Sequence, residues 1–158
     1  MNDATSLPKK IISGGQTGVD RGALDAAIEL GISHGGWCPR GRLAEDGPLN
    51  ARYELQETES RQYHVRTEKN VQEADGTLII HRGPLSGGTE LTRKFASLHC
   101  KPLLQIDLNQ PFLPAVFHEW LGANQITILN VAGPRESSQP GITEDTRQLL
   151  LGLFHAMC

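Results

Sequence analysis

One pattern recurs along this chain and limits its fold more than any other. A short, continuously apolar run is followed by a glycine turn and then by a stretch with helical spacing. Lys10-Ile-Ile-Ser13 ends at Gly14-Gly15, Thr77-Leu-Ile-Ile80 leads into the turn from Gly83 to Gly88, and Ile126 to Val131 leads into Ala132-Gly-Pro134. A strand that is apolar without alternation needs cover on both faces, and strands separated by helices pair in parallel. With further strands at Ser33 to Trp37 and Pro102 to Ile106, the expected fold is α/β. It is a single three-layer, doubly wound domain: a mainly parallel sheet of about five strands with helices on both faces.

Helices are expected over about 18–30, 60–74, 89–98, 112–121 and 143–156. In the first, Arg21, Asp25 and Glu29 share a solvated face while Val19, Ala23, Ala27 and Leu30 turn inward, and Gly31 ends it. Thr143, followed by Glu144 and Asp145, is the expected N-cap of the last. Residues 40–57, rich in Gly, Pro and charge, read as a long loop of the kind that carries function. Residues 1–8 read as a flexible tail ahead of one domain spanning 9–158.

Composition excludes several classes. The 158 residues suit one domain. With 15 Lys+Arg against 18 Asp+Glu the net charge is −3, which argues against a nucleic-acid partner, since phosphate binding needs surplus cations. No apolar run approaches the roughly 20 residues of a membrane span, and MNDATSLPKK has no export signal. Cys38, Cys100 and Cys158 are odd in number and have no CxxC spacing, which argues against a disulfide framework and against a cysteine-only zinc site. The expected location is the cytoplasm. His34 and Cys38 lie on a strand and turn, where a spacing of four does not converge on a metal, so no metal site is expected.

Ligands of doubly wound sheets sit at the carboxyl ends of the strands, where the glycine turns gather. Gly14-Gly15-Gln16-Thr17-Gly18 joins a strand to a helix start, whose free N–H groups and positive dipole end suit a phosphate. The same residues could equally make a tight turn. Gly87-Gly88-Thr89 repeats the arrangement after another strand. Glu90 beside it is a general-base candidate if the protein is an enzyme, or simply an acid favoured in a first helical turn. Ten arginines against five lysines tilt the chain toward oxyanion recognition. Arg40, Arg42, Arg82 and Arg135 all follow strand ends, and Asp20 could hold one of them. Trp37 either lines the crevice or fills core. No cysteine has a placeable His or Asp partner, so no nucleophile is assigned.

Gly14-Gly-Gln-Thr-Gly-Val-Asp20, His34-Gly-Gly-Trp-Cys-Pro39, Ala44-Glu-Asp-Gly47, Arg66-Thr67 with Asn70-Val71, and Gly87-Gly-Thr89 follow one another over nearly the whole chain. In that order they resemble the molybdenum carrier family, the group similar to molybdenum-cofactor carrier proteins and to the YpsA-like branch of the SLOG superfamily. The resemblance implies a Rossmann-like fold, a homo-oligomer, and a phosphate-bearing pterin or nucleotide-like ligand. It further implies protection of the molybdenum cofactor (molybdopterin) and its hand-over to molybdoenzymes, without turnover. On that view Gly14, Gly15, Gln16, Thr17 and Gly18 with Gly87, Gly88 and Thr89 hold the phosphate end. Arg40, Arg42 and Arg135, inferred from strand-end position, serve the remaining anionic groups. Two alternatives stay open: a phosphoribohydrolase-like nucleotide-processing enzyme and an NAD or ADP-ribose sensor. The hydrolases carry PGGxGTxxE, and here Thr92 stands where the glutamate should be, with Glu90 about 200° away around the helix.

Overall fold

The computed structural model describes residues 7–155. Residues 1–6 of the expected tail lie outside that range, as do Ala156, Met157 and Cys158. The remainder of the tail is part of the fold: Leu7 packs against the core and Pro8 is buried. The chain is tied down from there because the N–H groups of Lys9 and Lys10 both donate to the Thr127 carbonyl, at 2.8 and 3.2 Å.

The elements run β1 (Lys10–Ile12), α1 (Val19–Leu30), β2 (Ser33–Gly35), β3 (Trp37–Cys38), β4 (Gln56–Glu57), α2 (Tyr63–Glu73), β5 (Gly76–His81), α3 (Gly87–Leu98), β6 (Leu103–Asp107), α4 (Pro114–Ala123), β7 (Ile128–Ala132) and α5 (Ile142–His155). A five-stranded sheet has the order β2-β1-β7-β5-β6, and every neighbouring pair is parallel. This is the expected α/β, Rossmann-like architecture.

Alternate residues of the strands point to opposite faces. Ile11, Leu78, Ile80, Leu129 and Val131 join Val19, Ala23 and Ala27 of α1 and Leu150, Leu153 and Phe154 of α5 in one core. α4 completes this layer, Phe117 meeting Phe154 with ring centroids 6.1 Å apart. Ile12, Thr77, Ile79 and Asn130 point the other way, toward the layer in which α2 packs on α3. Thr77 and Asn130 satisfy each other there, Nδ2 donating to Oγ1 at 3.2 Å.

Three local expectations are corrected. The strand expected over Ser33 to Trp37 is two: β2 stays in the main sheet, while β3 leaves it to pair with β4. The break falls at Gly36, whose φ of 121° suits glycine and whose Cβ position would lie 2.2 Å from the Ser13 carbonyl oxygen. The segment 40–57 is a loop as expected as far as Leu55, but its last two residues form β4 and the loop is packed. Leu49, Tyr53 and Leu55 form a second small core with Leu24 and Cys38, and the Tyr53 hydroxyl donates to Asp25 Oδ1 at 2.6 Å. Thr143 lies inside α5 rather than capping it. A carboxylate from the preceding loop does that work: Glu136 accepts the Gly141 N–H at 2.5 Å and the Thr143 N–H at 3.0 Å, at the positive end of the helix.

Candidate functional site

The carboxyl ends of β1, β5 and β7 open into a cavity of about 300 Å³ beneath α2 and α3. Gly14 and Gln16 follow β1, Arg82 and Ser86 to Thr89 follow β5, and Gly133, Pro134 and Arg135 follow β7. Tyr63, Arg66 and Asn70 of α2 close the side. The three glycine turns therefore meet at one place, as sheet topology predicts.

The two helix starts differ chemically. At α3 the N–H groups of Gly87 and Gly88 have no hydrogen-bond partner among the described residues, and those of Thr89 and Glu90 share the Ser86 carbonyl. A Cβ at either glycine would meet nothing within 4 Å. This helix start is open to an anion, with its dipole directed at the cavity.

At α1 every N–H from Gly15 to Val19 is taken. Gly15 donates to Ser13 Oγ (3.3 Å), Gln16 to Asp20 Oδ2 (3.3 Å) and Thr17 to Gln16 Oε1 (3.0 Å). Gly18 donates to Thr143 Oγ1 (2.9 Å) and Val19 to the Pro134 carbonyl (3.1 Å). Gly15, Thr17 and Gly18 do not line the cavity; Gly14 and Gln16 do. Gly15 faces Leu49 and Leu55, and Gly18 lies against the Pro134–Arg135 backbone. In this turn the protein's own side chains occupy the positions where an anion would accept.

Asp20 was expected to hold one of the strand-end arginines; instead it forms a buried charge pair with Arg66 of α2, behind Gly14. The Arg66 guanidinium donates through Nη1 to the Gly14 carbonyl at 2.6 Å and sits beside the Asp20 carboxylate. Burial pushes the Asp20 carboxyl up to about 6, against the opposing pull of Arg66 and of the Gln16 and Gly14 N–H groups. Burial likewise lowers the Arg66 pKa, with Asp20 opposing it. One turn before Arg66 on α2, Tyr63 offers its ring to Arg66 and Arg135, whose guanidinium carbons lie 5.1 and 5.6 Å from its centroid. Arg66 and Asn70 were hard to find because α2 is a polar helix, and its charged residues look like a solvated face. The available signals were their i, i+4 spacing and their place in the motif series that carries the family resemblance.

The arginines separate into two groups. Arg82 and Arg135 line the cavity; Arg82 pairs with Asp145, and Arg135 lies 3.7 Å from Glu45 Oε1. Arg40 and Arg42 do not reach it. Arg40 is exposed, and Arg42 turns its guanidinium onto the carbonyls of Asn50, Tyr53 and Leu55, at 3.0, 2.7 and 3.4 Å. Arg42 thus holds the 40–57 segment together.

Glu90 also points elsewhere. It forms an ion pair with Arg93 one turn along α3, which lowers its pKa, while Thr92 lines the cavity. Trp37 neither lines the cavity nor enters the core. It is half-buried, with Lys69 Nζ 4.2 Å above its ring and its Nε1 bonded to Glu73. Glu45 lies outside the cavity lining: its carboxylate binds the hydroxyls of Ser137, at 2.6 Å, and of Thr17, and both hold its pKa below the usual range.

The fold and the site together define a Rossmann-like α/β protein with a polar crevice at the strand ends. More narrowly, the chain belongs to the circularly permutated YpsA SLOG family, which matches residues 11–154. It is also similar to a solved structure, that of the "Putative molybdenum carrier protein" from Syntrophus aciditrophicus SB. The two are 48% identical, with a TM-score of 0.90 over 93% of this chain and 94% of the other. A comparison with curated proteins gives no match. Among the described residues no helix is long and apolar enough to cross a membrane.

Proposed function

We propose that this chain is a carrier of the molybdenum carrier type, which binds and shields a phosphate-bearing heterocycle in the strand-end cavity without turning it over. The observation that carries the reading is the start of α3. Unpartnered N–H groups at Gly87 and Gly88 face a cavity that also holds Arg82 and Arg135, an arrangement suited to a phosphate monoester. The molybdenum cofactor is the first candidate cargo, because the similar Syntrophus protein carries the name of a molybdenum carrier. The phosphate seat on this reading comprises Gly87, Gly88, Thr89 and Arg135, with Gly14 and Gln16 at the far side. A cytoplasmic homo-oligomer that passes its cargo to molybdoenzymes is the setting that fits.

The direction of Glu90 supports a carrier over a phosphoribohydrolase-like enzyme, since a carboxylate paired with Arg93 outside the cavity cannot reach a bound ligand. The test is anaerobic titration calorimetry with molybdenum cofactor, AMP, NAD and ADP-ribose, on wild type and Gly88→Asp. Fluorescence is a poor readout, because neither tryptophan lines the cavity. Gly88→Asp sets a carboxylate in open space at the proposed seat and should weaken binding at least a hundredfold. Unchanged affinity would place the phosphate elsewhere, and release of free base by wild type would make the protein an enzyme.

A further inference from the structure

We propose that Gln16 and Asp20 read a ring lactam: Gln16 Nε2 donates to a ring carbonyl oxygen, and the Asp20 carboxylate accepts from the adjacent ring N–H. The ligand class is a phosphorylated heterocycle with an oxo group beside a protonated ring nitrogen, an edge shared by pterin-4-one, hypoxanthine and guanine. Adenine presents an amino group beside a bare nitrogen and is rejected. The inference rests on the reading of the cavity as the site of a phosphorylated ligand, and names its ring.

The argument starts from the Gln16 amide. Its Oε1 accepts two backbone N–H groups, Thr17 at 3.0 Å and Glu45 at 2.7 Å. Those two donors fix the amide orientation, since a flip would set an NH₂ against both. Nε2 is left buried with no partner among the described residues, on a side chain that lines the cavity in a residue only 5% exposed. A buried amide donor is normally satisfied by protein or by water, so one without a partner on a cavity wall offers a place for an acceptor from outside the chain.

Asp20 supplies the complementary half. Its Oδ2 accepts the backbone N–H of Gln16 at 3.3 Å, and both residues line the cavity. With a pKa of about 6 it is ionised at neutral pH and accepts only. A donor and an acceptor lining one cavity match the carbonyl and N–H of a lactam. A site built on such a pair discriminates strongly, because the wrong edge leaves buried groups facing like partners.

The test is calorimetry at pH 7.5 with IMP, AMP and inosine monophosphate methylated at N1. IMP and AMP share ribose and phosphate and differ only along this edge. Wild type should bind IMP at least tenfold more tightly than AMP, and N1-methylation should remove that advantage. Gln16→Glu keeps an acceptor for Thr17 and Glu45 but loses the donor, so the IMP preference should fall at least tenfold. The double variant Gln16→Glu with Asp20→Asn presents acceptor and donor in the reverse order and should prefer AMP. Equal affinity of wild type for IMP and AMP overturns the lactam reading alone. An unchanged IMP to AMP ratio in a folded Gln16→Glu does the same. If neither nucleotide nor inorganic phosphate binds, the phosphate reading falls first and the lactam with it. The methylated ligand decides the matter on wild type if Gln16→Glu does not fold.

Discussion

Asn70 holds Trp37 by both backbone groups: its Oδ1 accepts the Trp37 N–H at 2.8 Å and its Nδ2 donates to the Trp37 carbonyl at 3.0 Å. This bidentate contact docks β3 on α2, after Gly36 has turned the chain out of the main sheet. Asn70→Ala leaves both main-chain groups without their partner in a partly buried site and should cost about 3 kcal/mol. Asn70→Asp keeps the acceptor but sets an oxygen against the carbonyl, so it should not recover the loss. Urea denaturation midpoints of the two variants check this.

Asp20 links stability to pH. Its folded pKa, about 6, lies above the ordinary 3.8, so the folded state favours the protonated acid. The corresponding stabilisation is complete below pH 3.8 and is lost as pH rises through about 6. Asn mimics the protonated form, so Asp20→Asn should be more stable than wild type at pH 8 by up to about 3 kcal/mol. The difference should shrink toward zero at pH 4. A constant difference across that range would mean that Asp20 does not titrate as described.

Two glycine substitutions should act in opposite directions. Gly18 has a φ of 86°, and a Cβ there would lie 2.2 Å from the Pro134 carbonyl oxygen, in backbone that Val19 also bonds. Gly18→Ala should therefore lower stability by several kcal/mol, roughly 3 or more. Gly152 is exposed within α5 with nothing near its Cβ position, so Gly152→Ala should raise stability by about 1 kcal/mol. Thermal melts of the two proteins give the signs directly.

Glu90→Gln should leave binding intact. The substitution removes only a solvent-screened ion pair with Arg93, from a side chain outside the cavity. Calorimetry with IMP should give an affinity within twofold of wild type. A tenfold loss would bring Glu90 back into the site.

The layered fold was legible because its strands advertise themselves. Ile11-Ile12 and Leu78-Ile79-Ile80 are apolar on consecutive positions, and glycines mark where each ends. The split at Gly36 was not legible, since nothing in Ser33 to Trp37 tells a continuous strand from two short ones in different sheets. β4 is a pair of exposed polar residues, Gln56 and Glu57, with no pattern to read. The convergence of Gly14, Gly87 and Gly133 followed from topology. The fates of Arg40 and Arg42 did not, because position after a strand end does not say how a loop folds back. Arg42 adopts a φ of 56° and turns inward to three carbonyls, a consequence of tertiary packing alone. The contrast between the two glycine turns was equally hidden. It depends on Ser13, Asp20, Gln16 and Thr143 delivering acceptors to one turn and not to the other.

The place of β7 in the sheet has a consequence for biosynthesis. β1 and β2 pair with each other, as do β5 and β6, but β7 alone bridges the two pairs, and it begins only at Ile128. A ribosome must therefore extrude four of the five strands before the strand that joins them exists. Until then two half-sheets expose the edges of β1 and β5 to any passing strand. Completion of the sheet is accordingly a late event in synthesis, because it waits on the last strand.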